Sequence, residues 1–196
     1  MFGTQLNYAN ITNGSEIYGP GNRYVIWLQG CTLGCKGCWN TEMWPHKEKK
    51  LIEREKLLSD ILSQGDICGV TILGGEPLEQ SENVLWLLNE LKTSKLDCML
   101  YSGYSYQEII SNKVYSQVLE LVDIIITGRF VLVLRDISLR WRGSSNQEVH
   151  FLTDIYNANN FDECNQVEIH INEFGNINIL GYPSEELYID LLDDVN

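Results

Sequence analysis

"RYVIWLQGCTLGCKGCWN", residues 23–40, joins two unlike halves. The first seven residues are aliphatic or aromatic between polar ends, the composition of a buried strand. The rest sets Cys31, Cys35 and Cys38 within eight residues and interleaves them with Gly30, Gly34 and Gly37. A buried strand that runs straight into a distinctive loop is the layout of a parallel α/β sheet, where ligands gather at the carboxyl ends of the strands.

The layout repeats downstream. "GVTIL" (69–73), "DCMLY" (97–101) and "DIIIT" (123–127) are three more short apolar runs. Helical patterns separate them. "EREKLLSDILSQG" (53–65) sets Leu57, Leu58, Ile61 and Leu62 at helical spacing, with Gly65 as a stop. "SENVLWLLNELK" (81–92) puts Val84, Leu85, Leu88 and Leu91 on one face, with Ser81 as candidate N-cap. "SYQEIISNKVYSQVLELV" (105–122) is helical with a break near Asn112. Strand and helix alternating in this way predict an α/β fold with a parallel sheet covered by helices, either open or curved like part of a barrel.

The tail has a different rhythm. "VEIHINEFGNINILGYP" (167–183) alternates apolar and polar residues around Gly175 and predicts a β-hairpin. "SEELYIDLL" (184–192) predicts a short helix capped by Ser184. The expected division is a core domain over residues 1–148 and a C-terminal extension, 149–196, packed on it.

Composition narrows the function. The chain has 196 residues, 44% of them hydrophobic, enough for one domain with a real core. Fourteen basic against 27 acidic residues give a net charge of −13, which argues against non-specific nucleic-acid binding. One stretch runs the other way: "RFVLVLRDISLRWRG" (129–143) carries Arg129, Arg135, Arg140 and Arg142. No apolar run is long enough to span a membrane, and "MFGTQLNYAN" lacks a signal-peptide pattern, so a cytoplasmic location is expected. In a reducing compartment, clustered cysteines read as metal binding or catalysis. Cys68 and Cys98, beside strand-like runs, are expected as small core residues.

Four unusual segments follow the four strands: the cysteine loop, "GGEP" (74–77), "SGY" (102–104) and "GRF" (128–130). A parallel sheet brings all four to one rim. Three thiolates there suit either a structural zinc, with His46 as fourth ligand, or an iron–sulfur cube with one iron left open.

These residues resemble the radical S-adenosylmethionine enzymes, whose signature is C-x3-C-x2-C after the first strand. Within them the chain is most similar to the activases of anaerobic (class III) ribonucleoside-triphosphate reductases. That likeness rests on residues 19–44, "LGGEPL" (73–78), "YSGYSYQEI" (101–109), "DIIITGRF" (123–130) and "LRWRGSSNQ" (139–147), in order. The resemblance implies a partial (β/α) barrel. It implies that Cys31, Cys35 and Cys38 ligate a [4Fe–4S] cluster, whose open iron chelates S-adenosylmethionine. Gly74, Gly75, Glu76 and Pro77 would receive the methionine amino group, and Ser102 and Tyr104 would line the cleft. Trp39 would pack on the cofactor or fill the core.

The implied activity is reductive cleavage to a 5′-deoxyadenosyl radical, which generates a glycyl radical on the partner reductase. An external donor such as flavodoxin or ferredoxin would supply the electron. The alternative is a stand-alone radical enzyme modifying a peptide or small molecule. Residues 129–147 are the expected docking segment, with Arg135, Arg140, Trp141 and Arg142 at its centre, unless Trp141 simply caps the sheet. Two features depart from the activases: Thr127 stands where many carry an acid, and nearly fifty residues follow the resemblance.

Overall fold

The computed structural model describes residues 2–161, 164, 166–181, 183 and 184. The elements are β1 (Gln5–Thr12), β2 (Arg23–Leu28), β3 (Lys50–Glu53), α1 (Arg54–Ser63), β4 (Gly69–Gly74), α2 (Ser81–Leu91), β5 (Asp97–Ser102), α3 (Tyr106–Ser111), β6 (Ile124–Thr127), β7 (Glu148–Phe151), β8 (Val167–Ile171) and β9 (Ile177–Gly181). The first seven strands in sequence form one sheet in the order β3-β1-β2-β4-β5-β6-β7. Its centre, β2-β4-β5-β6, is parallel and consists of the four strands legible in sequence. Antiparallel β1, β3 and β7 flank it. β7 begins at residue 148, so the sheet itself carries the chain across the expected domain boundary.

The central strands are buried on both faces, and alternation sorts their side chains. Tyr24, Ile26, Leu28, Val70, Ile72, Cys98, Leu100 and Ile125 point to the helices, where they meet Leu57 and Ile61 of α1 and Val84, Leu87, Leu88 and Leu91 of α2. The opposite face carries Val25, Trp27 and Leu73, then Met99, Ile124 and Ile126. Among the described residues no helix covers that second face. Ile17, Tyr18 and Leu180 cover its first half, and Trp141 with Phe161 covers the rest. Full burial of each such side chain contributes about 1.5–3 kcal/mol.

Local details follow the residues. α3 starts at a capping box in which Ser105 and Glu108 satisfy each other's backbone amides, and it ends before Asn112, whose side chain accepts from Val114 and Tyr115 and starts a 3-10 turn. Ser81 is not the N-cap of α2. It is the first helical residue, because a 3-10 turn, Pro77–Gln80, runs directly into the helix. Cys98 is a core residue, but Cys68 is exposed, with its thiol donating to the Pro20 and Asn22 carbonyls.

At the foot of the second face, Arg23 is fully buried. It pairs with Asp97 at 2.6 Å and donates to Thr71 Oγ1 and the Val70 carbonyl, while Tyr156 donates to Asp97. Burial pushes the Asp97 carboxyl up, and Arg23 opposes it.

β8 and β9 form an antiparallel hairpin turning at Gly175, whose φ of +79° favours glycine. The hairpin is fixed at its base: Gly181 N–H donates to the Tyr18 hydroxyl at 2.9 Å, and Ser15 Oγ donates to Glu168 at 2.6 Å. The short helix expected over 184–192 lies outside the described residues, apart from Ser184.

Trp141 is not an exposed docking residue. It is 6% exposed, holds φ at +60°, and stands edge-on to Phe161 at 5.0 Å over the second face. It caps the sheet. Among the described residues no helix is long and apolar enough to cross a membrane.

Candidate metal and cofactor site

The cysteine loop leaves the carboxyl end of β2 and is closed at its neck. Gly30 N–H donates to the Met43 carbonyl at 2.8 Å and Cys31 N–H to the Trp44 carbonyl at 3.0 Å, so residues 30–44 form one closed lobe. Within it, Cys38 N–H turns back to the Cys35 carbonyl at 3.0 Å. All three thiols are free and half-buried. Burial pushes the Cys31 thiol up to about 11. Burial and then the neighbouring Cys38 raise Cys35, while the Phe130 backbone and Arg129 draw it down.

The other three segments reach this lobe physically. Gly75 N–H donates to the Leu28 carbonyl and Glu76 N–H to the Gly30 carbonyl. A Cβ at Gly75 would sit inside contact distance of the Gly30 oxygen, and one at Gly74, where φ is +110°, would lie 2.5 Å from the Leu28 nitrogen. Only glycine permits this approach. Gly103 is packed as closely against Leu33. Leu132, just past "GRF", lies on Gly37, where a Cβ would meet its Cδ1 at 2.9 Å.

Glu76 has a different surrounding from the expected one. Its side chain is fully buried and accepts from Leu78 N–H, Ser102 Oγ and Gly103 N–H at 3.0, 3.0 and 2.7 Å. It ties the end of β4 to the end of β5. Burial pushes its carboxyl up to about 7, against these three donors. Ser102 is buried as part of the same tie and also receives Tyr104 N–H. Pro77 is buried at the start of the 3-10 turn. The Tyr104 ring leans on Tyr115, 5.2 Å away, with the Arg129 guanidinium 5.7 Å from its centre. Trp39 is half-exposed on the lobe, so it does not fill the core, and Arg135 lies 5.4 Å over its ring.

The donor set fits an iron–sulfur cube better than a single ion. Among the described residues, no three His, Cys, Asp or Glu side chains converge on one point as zinc requires. A cube gives each thiolate its own iron, so its ligands stand apart around one lobe. His46 lies against Gly30, and its Nε2 pairs with Glu79 at 3.1 Å. The glycines at 74 and 75 let the end of β4 pack directly on the Leu28 and Gly30 backbone at the neck of the cysteine lobe.

A family model described as a 4Fe-4S single cluster domain matches residues 17–150. The chain is 30% identical over 156 residues to the anaerobic ribonucleoside-triphosphate reductase-activating protein of Escherichia coli K12, covering 75% of this chain and 99% of that one. The protein of that name from Pasteurella multocida is 31% identical over 76% and 99%, and that of Enterobacteria phage T4 is 33% identical over 76% and 96%. The chain belongs to this family of activating proteins. Among solved structures, QueE from Escherichia coli superposes with a TM-score of 0.41 at 25% identity, over 52% of this chain and 53% of that chain.

The family match takes in the cysteine lobe and the three segments that meet it, and it stops within β7. Inside that span, sequence reasoning missed two ties. Glu79 accepts from Thr32 N–H at 3.0 Å and from the Thr32 hydroxyl, fixing the residue after Cys31. Glu108 grips Arg129 with both carboxylate oxygens, at 2.7 and 3.0 Å, and holds that cation near Cys35. Nothing in residue type marks Glu79 as more than a surface acid; its place three residues after Glu76 was the only cue. Thr127, the departure noted in sequence, is buried and bonds His150 Nε2 at 3.0 Å.

Proposed function

We propose that this chain is a radical S-adenosylmethionine activase that installs a glycyl radical on an anaerobic ribonucleotide reductase. Its central sheet is read as the partial barrel of that enzyme class. Cys31, Cys35 and Cys38 would hold a [4Fe–4S] cluster, with S-adenosylmethionine between that cluster and the cradle at Gly74 and Gly75. When bound, these groups supply one-electron cleavage of the sulfonium C–S bond, giving methionine and a 5′-deoxyadenosyl radical able to take a hydrogen atom from glycine. The electron would come from a flavodoxin or ferredoxin.

The chain's own residues bind and orient. Glu76 has no free face for the methionine ammonium; its buried carboxylate shapes the cradle by tying β4 to β5. The glycine backbone would then be what receives the amino group. Glu79 and the neck bonds hold the cysteine lobe against that cradle, and Arg129 brings positive charge to a site that gains an electron. No side chain is assigned as a general acid or base.

One observation carries the choice of a protein substrate over a small molecule. The second face of the sheet, where a barrel enzyme would take a small substrate, is filled by Ile17, Tyr18, Leu180, Trp141 and Phe161. A protein loop would instead approach the cysteine lobe from outside the sheet. This disfavours the stand-alone enzyme.

The test is anaerobic reconstitution, with iron and sulfide counted, followed by reduction with S-adenosylmethionine and the cognate reductase. The expected result is four irons per chain, 5′-deoxyadenosine, and a glycyl-radical doublet on the reductase by electron paramagnetic resonance. Zinc alone in the reconstituted site, or cleavage with no radical on the reductase, overturns the proposal.

A further inference from the structure

Leu132, Val133, Leu134 and Ile137 are exposed aliphatic residues on one loop, with Val133 at 89%. They are continuous with the cysteine lobe. Leu132 lies on Gly37, and Arg135, from the middle of the run, stacks over half-exposed Trp39. A contiguous apolar patch on a surface marks an interaction site more often than chance decoration.

The loop is also held still. Val131 N–H donates to Ser144 Oγ, Ser145 N–H to the Leu134 carbonyl at 2.9 Å, and Asp136 N–H to the Gly143 carbonyl. Asn146 and Gln147 side chains donate to the carbonyls of Arg129 and Gly128. The run "GSSNQ" (143–147) is thus a frame that presents the aliphatic side chains outward. A surface fixed before binding loses little entropy when a partner arrives.

Position identifies the partner. Arg129 is already paired with Glu108, so the patch presents mainly aliphatic surface. Whatever seats on Val133 has its next contact at Gly37 and Trp39, in the lobe that carries the three thiols.

We propose that residues 132–137 together with Trp39 are the seat for the reductase segment bearing the reactive glycine, bound through its apolar side chains. This rests on the activase reading above and adds where the partner sits. The docking centre thereby moves from Trp141, which is buried, to Val133.

The test uses the full chain, reconstituted, with the cognate reductase. Val133→Asp should weaken association at least tenfold and lower the glycyl-radical yield in parallel, with cofactor cleavage in the absence of reductase unchanged. Phe174→Asp, an equally charged change at an 80% exposed residue of the hairpin, should alter neither. Normal association and yield in Val133→Asp overturn the proposal, as does a loss confined to Phe174→Asp. So does a loss that disappears when dithionite replaces the protein donor, since the patch then belongs to that donor. Loss of a wild-type dimer without weaker reductase binding makes the patch a contact between copies, and again overturns it. If the wild-type chain cleaves the cofactor but never radicalises the reductase, the activase reading itself fails; a working wild type with an indifferent variant fails only this proposal.

Discussion

Gly75 shows how one missing side chain shapes the rim. Its backbone lies so close to Gly30 that an added Cβ would overlap the Gly30 oxygen, and Gly30 directly precedes Cys31. Gly75→Ala should therefore shift the lobe as well as the cradle. The expected cost is about 1–3 kcal/mol, and iron content and cofactor binding should fall together. Normal iron with lost cofactor binding would mean that the two halves of the rim move independently. The Glu108–Arg129 pair makes a second, smaller prediction. Arg129, then the Ser105 backbone, hold the Glu108 carboxyl at about 2, below its usual 4.5. A depressed value stabilises the fold above about 4.5, and the contribution disappears as pH falls through about 2. Both side chains are 43% exposed, so the pair contributes at most about 1 kcal/mol. Melting curves of Glu108→Gln and wild type should differ slightly at neutral pH and converge towards pH 2. A gap that persists there would trace to the capping box instead.

Among the elements, the legible ones are those whose pattern is local. The four parallel strands are continuous apolar runs because both faces are buried, and α1 and α2 show their periodicity openly. β1, β3 and β7 escaped because strands at the margins of the sheet need few apolar residues; β1 itself reads Gln-Leu-Asn-Tyr-Ala-Asn-Ile-Thr. The cysteine lobe was legible because thiol spacing is local too, whereas the Glu76 and Glu79 ties span up to 47 residues and leave no periodic trace. Trp141 was placed at the docking centre because arginines flank it in sequence, with capping of the sheet as the alternative; the structure shows the cap, and its burial is set by Phe161, twenty residues on. Trp141→Ala should cost about 3–5 kcal/mol and reduce cofactor cleavage and radical transfer equally, through loss of folded protein. A denaturation curve matching wild type would contradict its role as the cap on Met99, Ile124 and Ile126.

The whole molecule turns on what covers the second face of the sheet. Helices protect the first face, and residues beyond the family match, Phe161 and Leu180 among them, complete the cover of the second. The rim is built differently: among the described residues, the hydrogen bonds that tie the four rim segments together come from residues before 149. Cover and chemistry are therefore separable. A chain ended after Phe161 keeps the Trp141–Phe161 stack but removes β8 and β9, uncovering Val25, Trp27 and Leu73 where Leu180 had packed. Loss of one such buried leucine is worth about 2–5 kcal/mol, and in a chain of this size each kcal/mol moves the melting temperature by about 2–4 °C. The shortened chain should melt roughly 4–20 °C lower on those figures, with iron per folded chain and cofactor cleavage retained below its transition. Equal melting temperatures would show that the hairpin does not shield the core. Lost iron at full folding would mean that it supports the lobe. Retained cleavage with lost radical transfer would make the hairpin a partner surface and take that role from Val133.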